Sequence, residues 1–321
     1  MSLKTGLLFV TLLIGSFAIP AQDQDMSIFF EHTNAQARIV GGTIADSVPY
    51  MVVLSSGVLV RSFVCGGSVI TNRHVITAAH CIEALFSGGR LLNSLRGTVG
   101  TNRWNSGGTQ YKFASNITHP HYVQRTLKND LGILITTTEI TFSNAVQTVV
   151  LSDEFVDAGV STTVTGWGST AAGGPLSQNL LQLSAVVIDG ERCVTEMRDR
   201  ALEFNIINVP PVEPHIEICT FHSTGHGTCN GDSGSPLIRS DRQQQIGIVS
   251  WGLPCARGAP DVFTRISAPI GFCRSSVNLF EIQQSQTSVN PRSAVSRMGG
   301  ESGCKRTTPG ARMNTRCSLL A

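Results

Sequence analysis

Three short stretches carry side chains whose types and order suit acyl transfer. Gly231-Asp232-Ser233-Gly234, within Thr228 to Pro236, sets a serine between an aspartate and a glycine, with another glycine upstream. Such a turn lets backbone N–H groups approach a reacting carbonyl and leaves the hydroxyl uncovered. Alone, a Ser/Gly/Asp cluster reads as an ordinary turn. Upstream, however, lie Thr77-Ala78-Ala79-His80-Cys81 and Asn129-Asp130-Leu131-Gly132-Ile133. Acyl transfer needs a base near the hydroxyl, a group that holds the imidazole in one tautomer, and donors for the oxyanion. On this reading Ser233 is the nucleophile and His80 the general base and then acid. Asp130 orients the imidazole, and the N–H groups of Gly231 and Ser233 form the oxyanion hole. His74, His119, His121, His215, His222 and His226 lack a comparable setting and read as solvated or structural. No group of them has metal-ligand spacing, so neither a metal nor another cofactor is expected.

These residues must be held by something other than a helical scaffold. From Gly41 to about Ile270 short apolar or alternating runs recur between turn signals, as in Tyr50 to Leu54, His74 to Thr77, Leu181 to Ile188 and Gln245 to Trp251. That spacing predicts an all-β barrel or sandwich with few helices. The 321 residues allow a sizeable core, and 14% charged residues with 32 glycines fit a strand- and turn-rich globule. The net charge of +2 asks for no nucleic-acid or membrane partner.

Lys4, the apolar run Leu7 to Ile19 and the small residues Ala18 and Ala21 form a secretory signal over residues 1–21. The run is too short to span a bilayer, which takes about 20 residues. The mature protein is therefore expected to be secreted, extracellular and soluble. Nine cysteines in an exported chain imply disulfides, with at least one thiol left over. Asn116-Ile117-Thr118 is a glycosylation sequon.

The order His, Asp, Ser and the motifs around each residue resemble the trypsin/chymotrypsin-like serine endopeptidases over about residues 39 to 267. The resemblance implies two six-stranded antiparallel β-barrels with the active site in the cleft between them. Barrel 1 would cover about 39–155 and barrel 2 about 156–272, His80 and Asp130 coming from the first and Ser233 from the second. It implies bridges Cys65 with Cys81, Cys193 with Cys219 and Cys229 with Cys255, leaving Cys273, Cys304 and Cys317 unassigned. Arg38-Ile39-Val40-Gly41-Gly42 resembles the family's activation site. A trypsin-like protease would cut after Arg38, releasing propeptide 22–38, and the new ammonium of Ile39 would pair with Asp232 and order the serine loop.

Specificity is less uniform. Gly227 falls at the base of the primary pocket, where strict trypsins have aspartate; Ser250-Trp251-Gly252 matches the segment that pairs with substrate; and Asp261 falls on the pocket wall. That combination resembles the brachyurin-like, collagenolytic branch of arthropod digestive proteases, implied to accept basic, aromatic and aliphatic residues before the cut. If Asp261 instead points to solvent, the pocket is chymotrypsin- or elastase-like. The expected activity is digestive hydrolysis of protein and peptide substrates by a monomer open to protein inhibitors. A cascade protease, or an impaired homologue acting as a binding module, stands as the alternative.

Three departures stand out. Ser235 replaces a second glycine and would be strained if its φ had to be positive. Asn208 to Pro214 is a proline-rich insertion, expected as an exposed loop. Pro269 and Gly271 disfavour the family's C-terminal helix, and 273–321 reads as a disordered tail.

Overall fold

The computed structural model describes residues 39–253 and 255–277. Ten strands come first: β1 (Thr43–Ile44), β2 (Met51–Ser56), β3 (Ser62–Val69), β4 (His74–Thr77), β5 (Phe86–Ser87), β6 (Arg90–Leu91), β7 (Arg96–Val99), β8 (Thr109–Tyr111), β9 (Phe113–Thr118) and β10 (Gly132–Thr136). Seven follow: β11 (Val150–Leu151), β12 (Ser161–Gly166), β13 (Leu181–Val187), β14 (Glu217–Phe221), β15 (Pro236–Arg239), β16 (Gln244–Gly252) and β17 (Asp261–Arg265). Local sequence accounts for them. Short apolar runs give β4 and β10, buried along their whole lengths. Leu-Gln-Leu-Ser-Ala-Val-Val gives β13, which alternates between covered and outer positions.

Most strands form two largely antiparallel systems, the all-β chymotrypsin-like architecture the sequence implies; β5 and β6 make a separate hairpin, and β11 adds to β16 in parallel. In the second half, β13-β12-β15-β16-β17-β14 closes on itself through a β13–β14 pairing, a six-stranded barrel. The first half orders its strands β8-β7-β2-β3-β4-β10-β9 and is a half-barrel, its ladder unclosed among the described residues. β1 crosses over to pair with β13. Ile39, just ahead of it, packs in the second core with Val164, Leu181, Leu237, Val249 and Phe263. Ala45, Met51 and Val53 meet Trp167 and Leu180, so apolar packing also joins the halves.

Among the described residues three α-helices, α1 (Ala79–Glu83), α2 (Gly190–Glu203) and α3 (residues 270–277), and a 3-10 turn at Gln124–Thr126 interrupt this frame. The start of α2 is written in its sequence. Asp189 accepts from the Arg192 N–H at 3.0 Å, Glu191 lies in the positive first turn, and Cys193, Met197 and Ala201 face the core at four-residue intervals. α3 overturns the expectation that Pro269 and Gly271 disfavour a helix there, and it takes in 273–277 of the expected tail. Pro269 stands ahead of the first full turn, where a missing N–H costs nothing, and its carbonyl accepts from Cys273 N–H at 3.0 Å. Phe272 meets the His119 ring edge-on, centroids 4.9 Å apart.

The insertion at 208–214 also differs from expectation. Pro210 and Val212 are buried, and Val209 and Val212 join a cluster containing Trp251. The three expected disulfides are formed, and Cys273 is a free, buried thiol. The signal sequence, the propeptide with Arg38, Cys304, Cys317 and the tail from 278 onward lie outside the described residues.

Candidate active site

β4 ends at Thr77 and turns directly into α1, whose second residue is His80 and whose third is bridged to Cys65 on β3. β10 begins at Gly132, opposite Thr77, with Asp130 two residues earlier and fully buried. Adjacent strand ends thus bring the two side chains together. Asp130 Oδ2 lies 2.7 Å from His80 Nδ1, and Oδ1 accepts from the His80 backbone N–H at 2.9 Å. From the second barrel, the Ser250 hydroxyl donates to Oδ2 at 2.6 Å and the Thr264 hydroxyl to the Asp130 carbonyl at 2.9 Å. A carboxylate so bonded keeps Nδ1 as the protonated ring nitrogen. Burial opposes charging of the His80 ring. The charge and hydrogen bond of Asp130, with the charge of Glu83, outweigh it and hold the imidazole above its usual value. The Cys81 sulfur lies 3.6 Å from Nε2.

The serine lies on a turn that needs its glycines. Gly231 has φ +95° and Gly234 φ +79°, conformations L side chains rarely adopt. The N–H groups of Asp232, Gly234 and Ser235 bond to Cys229, Val249 and Asp232 carbonyls. Those of Gly231 and Ser233 donate to no protein acceptor among the described residues. Ser233's carbonyl accepts from Gly66 N–H at 2.9 Å, and Gly66's carbonyl accepts from the Thr77 hydroxyl at 2.8 Å. Gly66 therefore fastens the serine turn to the strand that leads into His80.

Asp232 points inward and is fully buried. Its oxygens accept from Gly168 N–H at 2.8 Å and Cys229 N–H at 3.0 Å. A β-carbon at Gly166 or Gly168 would overlap the carboxylate. These two glycines were passed over in the sequence, where Gly166-Trp167-Gly168 was their only signal. Burial pushes the Asp232 carboxyl up to about 7 against the pull of both N–H groups. Nearby, Val40 and Gly227 form a backbone bridge, the Gly227 N–H donating at 3.1 Å.

Beside Ser233 a small recess is lined by Thr228, Cys229, Ser250, Trp251 and Gly252, with Leu253 and Cys255. Gly227 directly precedes Thr228 in the chain. A β-carbon there would stand 3.1 Å from Asp261 Oδ2. Asp261 accepts from the Thr228 hydroxyl at 2.7 Å and its N–H at 3.0 Å. Burial pushes its carboxyl up to about 7. At Ser235 φ is not positive, so the condition for strain there is not met. Its peculiarity is a buried hydroxyl without a partner among the described residues, packed where a β-carbon at Gly66 would overlap it. Asn116 is half-buried on β9, its side chain 3.3 Å from the Thr118 hydroxyl.

Comparison with known proteins agrees with this arrangement. The trypsin family model matches residues 39–270. Trypsin alpha-4 of Lucilia cuprina is 31% identical over 72% of this chain and 84% of its own. Chymotrypsin-2 of Vespa crabro is 34% identical over 71% of this chain and 94% of its own. Trypsin epsilon of Drosophila erecta is 33% identical over 68% and 78%. A protein of this fold, with a histidine–aspartate pair on one β-system and a serine on a glycine turn of the other, belongs to the trypsin family and is a serine endopeptidase.

Proposed function

We propose that the chain is an exported zymogen, activated by cleavage after Arg38, that hydrolyses dietary protein with broad preference before the cut. Ser233 attacks the peptide carbonyl while His80 Nε2 takes its proton, Nδ1 being committed to Asp130. The carbonyl oxygen, now negative, is met by the N–H groups of Gly231 and Ser233. The C–N bond then breaks, His80 hands its proton to the leaving amine, and water repeats the sequence on the acyl-enzyme. The carrying observation is the saturated Asp130 beside His80, with those two N–H groups uncommitted. Because His80 must be neutral and is held above its usual value, activity rises through neutral pH into the alkaline range.

Asp232 supports the activation reading: it is a buried carboxylate held by N–H groups, and the bridge of Val40 to Gly227 keeps the Ile39 end close by. Three disulfides and the signal-like leader support export. Gly227 with Asp261 behind it supports a pocket for both basic and apolar side chains, and the matched relatives include both trypsins and a chymotrypsin. Asn116 at an edge strand is a usable glycosylation site. The peptidase domain on this reading starts at Ile39.

The test is hydrolysis of matched peptides with Arg, Phe, Leu or Ala before the cut, using protein cleaved at Arg38 beside Ser233→Ala. Turnover of several, abolished in the variant, is the expected result. Arg-only or Phe/Leu-only turnover would leave the protease and remove the broad pocket. No turnover from folded, cleaved protein would favour the binding homologue.

A further inference from the structure

Lys128, two residues before Asp130, is a lysine with almost no exposed surface, 5% by residue. Its Nζ lies 2.8 Å from both oxygens of Glu217, which is 2% exposed. A buried charge pair is costly unless every remaining donor and acceptor is used. Here they are used. Glu217 Oε1 also accepts from the Trp251 indole N–H at 2.8 Å, and Oε2 from the Glu213 N–H at 2.6 Å. The ammonium stands 5.2 Å from the centre of the Trp251 ring, within cation–π reach. One carboxylate therefore gathers the segment before Asp130, the strand beside Ser233 and the end of the 208–214 insertion.

The backbone is bent to allow this. Leu127 and Asn129 both have positive φ, +51° and +53°. A non-glycine residue in that region costs about 1–3 kcal/mol and persists only where its surroundings over-determine it. Together the two turn Lys128 inward between Leu127, which packs in the Trp251 cluster, and Asp130. A second tie runs alongside: Thr264, ladder partner of Glu217, donates to the Asp130 carbonyl.

We propose that Lys128 and Glu217 are positioning residues for substrate. They lock the Trp251 indole against the Asp130 segment, so that the wall receiving residues before the scissile bond is rigid before substrate arrives. This rests on the protease reading. It adds that affinity for extended peptides is set by an ion pair joining the two halves of the molecule, outside the residues that touch the reacting bond. Preorganising a wall saves the ordering cost at binding, so the effect should fall on KM and grow with substrate length.

The test compares Lys128→Met combined with Glu217→Leu, which leaves no charge unpaired, with Trp251→Phe and the wild type, all cleaved after Arg38. Substrates are a single-residue ester and peptides with several residues before the cut. The double variant should lose about tenfold in kcat/KM on the peptides, mostly through KM, with ester turnover little changed. Trp251→Phe should reproduce the peptide loss. Lys128→Met with Glu217→Gln, which returns an acceptor to the indole, should recover part of it. In a Ser233→Ala background the double variant should shift the tryptophan emission maximum, which reports the indole's surroundings without any turnover. Equal losses on ester and peptide, no loss at all, or no emission shift would overturn the proposal. A wild type that turns over neither substrate would instead overturn the protease reading, and this inference with it.

Discussion

Asp232 and Glu217 are both buried carboxylates of the second half, and their surroundings differ in one respect. Glu217 has its cation in place, Lys128 at 2.8 Å, plus two N–H donors. Asp232 is held by two backbone N–H groups, and no ion pair to it is formed among the described residues. A buried charge with its partner built into the chain is a fixture. One whose partner must be made by cleavage is a switch. On the proposed activation Asp232 awaits its partner, and a carboxyl pushed up to about 7 can stay protonated, which lowers the cost of waiting.

The comparison breaks first at Glu217. Glu217→Leu alone strands the Lys128 ammonium and should cost about 3–5 kcal/mol by denaturant unfolding. The same measurement on Asp232→Asn in uncleaved protein should show a much smaller change. Activity should reverse the ranking: Asp232→Asn after cleavage should lose about 10²–10³ in kcat through a disordered oxyanion hole. A cleaved Asp232→Asn protein with full activity would end the distinction between fixture and switch.

Proton linkage sharpens it. A carboxyl raised from 3.8 to about 7 contributes stability that is complete below 3.8 and is lost as pH rises through about 7. Uncleaved Ser233→Ala protein should therefore lose thermal stability between pH of about 4 and 7. Asp261 and His80 are also raised and titrate in the same direction, so only the difference between cleaved and uncleaved forms isolates Asp232. That difference should favour the cleaved form most strongly above its pH of about 7, as an ammonium pairs with the ionised group. Smallest is Ser235→Ala, which removes an unpartnered buried hydroxyl at a backbone angle alanine tolerates. It should gain about 1–2 kcal/mol with activity unchanged, read by melting temperature and the peptide assay.

What the sequence made legible was local. Thr77 to Cys81, Asn129 to Ile133 and Gly231 to Gly234 each carry enough type and spacing to be read within five residues, and the resemblance built on them supplied the fold and three disulfides. Lys128 and Glu217 stand 89 positions apart, and a lone lysine or glutamate reads as surface until the fold shows it buried. α3 was missed because Pro269 was weighed as a helix breaker without regard to where in the helix it falls. α2 was missed although Asp189 and Glu191 marked its start, because strand signals on both sides dominated the reading.

The three bridges join residues 16, 26 and 26 positions apart, each within one half of the molecule. Nothing covalent among the described residues other than the backbone connector therefore holds His80 and Asp130 to Ser233. A protease is surrounded by copies of itself, and a single nick in that connector would leave the catalytic groups on two fragments. Their union would then rest on non-covalent ties: Ser250 and Thr264 on Asp130, Lys128 on Glu217, Gly66 on Ser233, β1 on β13 and the apolar seam at Trp167. The working life of the enzyme is in that sense written into an interface.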